Sequence, residues 1–196
     1  MLAVEPEQRG ERRITIEWDA EPRLRIGWHV PSAMDDEASA IGVLAAVLTG
    51  GRTSRLYKRM VLGEQLVTGV YASTGPGSLF PQLFQIDAVP RNGESLESIE
   101  ATIYEEIARL AETGPDAREM ESVRNQVAAG NVRRMTSNLG LAFQIADSEA
   151  LLGDWSETFR SAEEIEAVTA EDVRRVAEKY LVERNRTVAV LRRPEP

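Results

Sequence analysis

With 196 residues, no cysteine, one histidine and 32 acidic against 23 basic side chains, the chain carries a formal charge of -9 at neutral pH. That balance disfavours nucleic acid and anionic membrane as partners, and the missing cysteines remove disulfide and thiol chemistry. The length suits a sizeable core, read as one two-lobed domain over 11–196 behind a polar tail or linker at 1–10.

No apolar run approaches the roughly 18 residues of a membrane span, and residues 1–10 lack the basic and apolar blocks of a secretory signal. The expectation is a soluble protein, cytoplasmic or periplasmic. A start in linker-like sequence raises the further expectation of a longer parent protein.

Ile14, Ile16 and Trp18 alternate with Arg13, Thr15 and Glu17, and Leu24, Ile26, Trp28 and Val30 alternate with Arg23, Arg25, Gly27 and His29. This period of two predicts two strands. The short link at 19–22 predicts that they pair antiparallel, with the apolar face on helices and a polar face, carrying Arg25 and His29, turned away. Pro31 closes the second strand, and Asp35 or Asp36 is expected to cap a helix with the stripe Ile41, Leu44, Ala45 and Leu48.

The rest of the chain is organised around residues 49–74, TGGRTSRLYKRMVLGEQLVTGVYAST, which join a helix, a glycine break, a second helix and a strand without a spacer. Gly50 and Gly51 suit a helix stop or a close backbone approach. Thr53 and Ser54 are expected to cap a helix carrying Leu56, Met60 and Val61 that ends near 63–65. From Leu66 the residues Val67, Val70 and Tyr71 favour a strand. GGRTSR invites comparison with a phosphate cradle, but the Lys followed by Ser or Thr of a P-loop is absent.

Phe84, Ile86 and Ala88 predict a strand pairing with 67–74 through Gly75-Pro76-Gly77. Leu96, Ile99, Ile103, Ile107 and Leu110 predict a helix stopped at Gly114 and Pro115. Asp116 and Glu119 form a capping-box pattern before Met120, Val123 and Val127, so two antiparallel helices are expected. Helical sequence runs on to Met135, loosens at 138–140, and resumes through Phe143, Ala146 and Leu151 to Gly153. Further helix starts are read at 161–164 and 169–172, and 187–191 reads as a last strand. A strand that returns after a series of helices marks an α+β fold, a mainly antiparallel sheet with helices on one face, and not a doubly wound sheet.

His29 is the only histidine, so neither a catalytic triad nor a histidine-based zinc site can be assembled; no catalytic and no metal-binding residue is expected in this chain. A lone histidine on a polar strand face is most simply a solvated or hydrogen-bonded group. The acidic clusters Glu105-Glu106, Glu119 with Glu121, and Glu163-Glu164 read as solvated helix surfaces or first turns. Arg133-Arg134 and Arg192-Arg193 read as solvated ends in mixed-sign surroundings. Asn185-Arg186-Thr187 fits a glycosylation sequon, a short match of little weight.

Several ordered segments carry a resemblance over about residues 10–191: GGRTSRLYKRMVLGEQLVTGVYAS, then ETGPDAREMESVRNQ, then Asn138-Leu139-Gly140, then VTAEDVRRVAEKYLVERNRTVAVL. Together they resemble the C-terminal half of the pitrilysin/insulysin-type zinc peptidases, a group that includes mitochondrial processing peptidase and its bacterial relatives. The resemblance implies two α+β halves closing around a peptide chamber. Zinc is expected in the complementary half, bound by His-x-x-Glu-His, where it activates the attacking water with the motif Glu as base. This chain would be the half without metal, contributing chamber wall and substrate contacts.

In many active members the second half also supplies an Arg and a Tyr, seven residues apart, that touch the substrate. The matching positions are Val61 and Thr68, where no charge and only a short hydroxyl are available. Arg55 is a further candidate contact. The expected partners are a catalytic half, in the same polypeptide or as a separate chain, a peptide substrate, and a second copy in a homodimer. The alternative reading is an inactive structural or chaperone-like subunit of the same fold, and a small-molecule enzyme stands third because no convergent set of titratable groups appears.

Overall fold

The computed structural model describes residues 6–194; residues 1–5 of the expected tail, and 195–196, lie outside the described residues. The central strand is β2 (Arg23–Val30), antiparallel to β4 (Gln82–Pro90) on one side and to β5 (Arg186–Arg192) on the other. β3 (Val67–Gly75) adds antiparallel to β4, and β1 (Arg12–Glu17) adds parallel to β5. The order is therefore β1-β5-β2-β4-β3, a mainly antiparallel sheet.

Alternation decides which face is covered. Leu24, Ile26 and Trp28 of β2, Phe84 and Ile86 of β4, and Val188 of β5 are fully buried or nearly so; each large side chain contributes about 1.5–3 kcal/mol by leaving water. They meet α1 (Ala38–Thr49), α2 (Leu96–Thr113) and α6 (Ala170–Tyr180), which cover that face. α3 (Ala117–Met135), α4 (Asn138–Leu152) and α5 (Glu157–Ala167) pack together beside α1. Among the described residues no helix is long and apolar enough to cross a membrane. The architecture is the α+β fold expected from the sequence.

The predicted pairing of the first two strands is corrected. β5 lies between them, with Arg12 opposite Thr187 on one side and Arg23 opposite Leu191 on the other. β1 and β2 still run in opposite directions, but the five residues 18–22 cross two strand spacings, about 10 Å, well within the reach of an extended link. Inserting β5 buries Val188 completely.

The face of β1 is also the reverse of the expected one. Arg13 points to the helices and donates to both carboxylate oxygens of Glu100 on α2, so alternation turns Ile14 and Ile16 outward, each 52% exposed, with Trp18 beyond them. Glu100 is buried at this contact, and Glu106, read as solvated, is in fact internal to the fold, 4% exposed between Arg59 and Arg109 and 3.0 Å from each.

Helix ends follow local chemistry with some displacements. Asp35 does not cap α1; its carboxylate accepts the Glu37 N–H one turn earlier, and Glu37 occupies the cap position. α2 ends at Gly114 with φ +69°, and Asp116 and Glu119 form the reciprocal capping pair at 2.8 Å each way. The two helices do not pack as the expected antiparallel pair, because the buried Gly114-Pro115 pivot sends α2 against α6 and α3 against α1, α4 and α5. α4 starts at Asn138, capped by Ser137, where the sequence suggested loosening. α5 starts at Glu157, ahead of the predicted 161–164, and Thr169 with Asp172 makes the full capping box of α6.

Candidate functional site

The double glycine shapes the segment after α1. Gly50 N–H donates to Ala46 O at 2.7 Å, and a Cβ on Gly50 would stand 2.4 Å from that oxygen, so a side chain there requires backbone movement. Gly51 takes φ +102°, which favours glycine. Ser54, buried, donates its hydroxyl to Gly51 O at 2.6 Å. Its hydroxyl closes the turn instead of capping the next helix.

Arg55 follows, donating Nε and Nη2 to Glu119 at 2.6 and 2.7 Å and Nη2 to Gly114 O at 2.9 Å. The Glu119 hydrogen bonds raise the guanidinium pKa above its ordinary value in spite of desolvation. Nη1 is buried with no hydrogen-bond partner. Arg55 thus joins the turn to the start of α3.

From Tyr57 to Gly63 the backbone is π-wound, and Glu64 N–H closes the segment on Arg59 O at 2.7 Å. Such windings are rare and concentrate at functional sites. Val61 lies half-buried within it against the core, while Lys58 and Leu62 are exposed. Gln65, with φ +57°, sits in the left-handed region at the switch from helix to strand; such a position costs a residue with a side chain on the order of 1 kcal/mol.

Thr68 is the extra residue of a β-bulge. Val67 faces Pro90 and Gly69 faces Val89, so Thr68 has no opposite number, and its exposed hydroxyl donates to Val89 O at 3.3 Å. Bulges at sheet edges re-aim side chains and are common beside active sites. β3 is the last strand of the sheet. On its outer edge Ala72 N–H donates to the Thr49 hydroxyl at 2.8 Å.

Between residues 50–58 and α3 lies an open cleft of about 870 Å³. Arg55 lines it; Val61 and Thr68 do not. The structure therefore separates the three candidate contacts, with Val61 and Thr68 at the junction of the π-wound segment and edge strand and Arg55 in the cleft wall. Exposed Arg52 and Lys58 also line the cleft, facing Arg118 and Arg133 of α3. Their convergence was missed in the sequence, although Arg118, Ser122, Asn125, Ala129 and Arg133 fall at the spacing of one helix face.

The donor set does not fit a zinc site. His29 is the only histidine and there is no cysteine, and among the described residues no three His, Cys, Asp or Glu side chains form a cluster able to hold a metal. The sequon residue Asn185 spends its side-chain amide on His29 O and Tyr180 O, at 2.9 Å each.

A family profile described as the peptidase M16 inactive domain matches residues 2–127. Among solved structures, a protease from Helicobacter pylori superposes with TM-score 0.89 at 19% identity, over 96% of this chain and 45% of that one. A peptidase M16 inactive domain from Pseudomonas fluorescens gives 0.82 at 18% identity, over 100% of this chain and 46% of that one. An inactive peptidase domain from Bordetella parapertussis gives 0.77 at 22% identity, over 92% and 95% of the two chains. The chain spans about half the length of the first two, and at these identities the likeness is one of fold. No curated protein matches the chain.

Proposed function

Because this chain belongs to the family of peptidase M16 inactive domains, we propose that it is the metal-free half of a zinc peptidase and works opposite a half bearing His-x-x-Glu-His, in the same polypeptide or as a separate chain. The chain provides one wall of the peptide chamber and part of its substrate-contact surface. The family match over 2–127 carries this reading. One histidine and no cysteine leave few of the nitrogen and sulfur ligands that zinc sites use, in keeping with this reading.

Substrate contact falls to the segment after the double glycine. Thr68 offers a hydroxyl at the bulge of an edge strand, where an extended peptide can add backbone hydrogen bonds. Val61 contributes apolar surface. Arg55 holds the turn to α3 and shapes the cleft wall beside it. Localisation follows that of the catalytic half.

A second reading, an inactive structural or chaperone-like subunit, is favoured by the resemblance, under which Val61 and Thr68 stand at the positions where many active members supply an Arg and a Tyr to the substrate. Co-purification tests the first reading. A tagged His-x-x-Glu-His half, from the same reading frame or a neighbouring one, should retain this chain in a one-to-one complex that cleaves peptide. A complex that forms and is inert supports the scaffold, and independent elution of the two contradicts both.

A further inference from the structure

We propose that the cleft between residues 50–58 and α3 binds the acidic side chains of an extended peptide. The inference rests on the peptidase-half reading above and specifies the substrate class that this half selects. A chain of charge -9 has here a basic hollow. Its lining contains five cations, Arg52, Arg55, Lys58, Arg118 and Arg133, against three carboxylates, Asp116, Glu119 and Glu121.

One of the three carboxylates is neutralised by an ion pair and a second is held as a helix cap. Glu119 is engaged by Arg55, and the Asp116 carboxylate caps α3 by accepting the Glu119 N–H at 2.8 Å. Among the described residues Arg52, Lys58, Arg118 and Arg133 form no ion pair, so four unpaired cations stand against the two unpaired carboxylates Asp116 and Glu121. Behind them the Arg55 Nη1 is a buried donor without an acceptor, a kind of group that proteins rarely leave unpaired.

The spread of these cations selects the ligand. Arg118 and Arg133 are four turns apart on α3, about 22 Å along its axis. No single phosphate or carboxylate bridges that length, whereas about seven residues of extended chain do. The volume, about 870 Å³, falls in the range of ligand-binding clefts. The exposed Leu62 and Ala129 give the cleft an apolar component for residues between the acidic ones. A peptide whose acidic residues are spaced by neutral ones fits better than nucleic acid, whose unbroken phosphate charge would be brought against Asp116, Glu121 and the acidic surrounding protein.

Fluorescence anisotropy with the full chain tests the proposal. The probes are labelled ten-residue peptides of alanine carrying Glu, Gln or Lys at every third position. The Glu peptide should bind, weaken as salt rises, and exceed the Gln and Lys peptides by about tenfold or more. Arg52→Glu with Lys58→Glu should weaken it about tenfold or more, and Glu121→Gln should strengthen it about twofold. Arg52 and Lys58 make no internal ion pair, so circular dichroism should show these variants folded. Equal binding of the Gln peptide, insensitivity to the charge reversals, or displacement of the Glu peptide by a short single-stranded DNA would overturn the proposal. These readouts involve no catalysis. A reassembled enzyme that cleaves peptide while the chain shows no selective binding would therefore sink this inference and keep the peptidase reading, whereas an inert reassembly with intact selective binding would do the reverse.

Discussion

Arg55 grips Glu119 with two hydrogen bonds, at 2.6 and 2.7 Å, and so ties the turn after the double glycine to the first turn of α3. The two side chains are only 14% and 22% exposed, which places the pair among interactions whose disruption strands a charge. Arg55→Ala should destabilise the fold by about 2–4 kcal/mol. The double variant with Glu119→Ala should cost less than the two single changes together, because no charge is then left alone. Urea denaturation measures both, and strictly additive effects would show that the pair is not coupled.

The turn itself is sterically set. Gly50→Ala places a Cβ against Ala46 O and should lower stability by about 2 kcal/mol or more. Thr49→Val removes the hydroxyl that receives Ala72 N–H and should cost about 1 kcal/mol. An unchanged thermal midpoint for Gly50→Ala would mean that the turn can relax.

Acid should act through Glu100. Burial raises the pKa of this carboxyl, but the hydrogen bonds from Arg13 and Tyr104 together outweigh it and hold the group below its ordinary value. A carboxyl with a lower pKa folded than unfolded adds stability at pH above its unfolded value, about 4.3, and loses that contribution as the pH falls through the folded value. Wild type should therefore lose more stability than Glu100→Gln between about pH 5 and pH 2. Parallel stability curves over that range would refute the assignment.

Ile14 and Ile16, exposed on the strand that closes the sheet at one side, and Trp18 just beyond it should make the isolated chain associate. Ile14→Lys with Trp18→Asp should shift sedimentation towards monomer. A wild-type chain that is monomeric at high concentration contradicts this.

The sequence showed those parts of the fold that rest on neighbours in the chain. The parity of Leu24, Ile26 and Trp28 marks a half-covered strand, Gly114 marks the end of α2, and Thr169 with Asp172 marks the start of α6. It did not show that β5 separates β1 from β2, because that order depends on Arg12 meeting Thr187 across the length of the chain. Alternation in β1 was legible, but which face is covered depends on Arg13 finding Glu100. The π winding was equally hidden, since Leu56 and Met60 have an ordinary helical spacing. At the candidate site, Arg55 was read as a candidate substrate contact, and its pairing with Glu119, 64 positions away, was not legible. The cleft cations are divided between two segments, and only the fold brings them together.

The most direct test of the account is hydrolysis of a quenched-fluorescence peptide by this chain alone and after supply of a His-x-x-Glu-His half in cis or in trans. The chain alone should be inert, and the assembly should cleave in a chelator-sensitive manner. Val61→Arg with Thr68→Tyr should raise kcat/KM by roughly tenfold to a hundredfold, if each new contact contributes about 1 kcal/mol or somewhat more. Chelator-insensitive cleavage by the purified chain without a partner would contradict the assignment of this chain as the half that carries no metal.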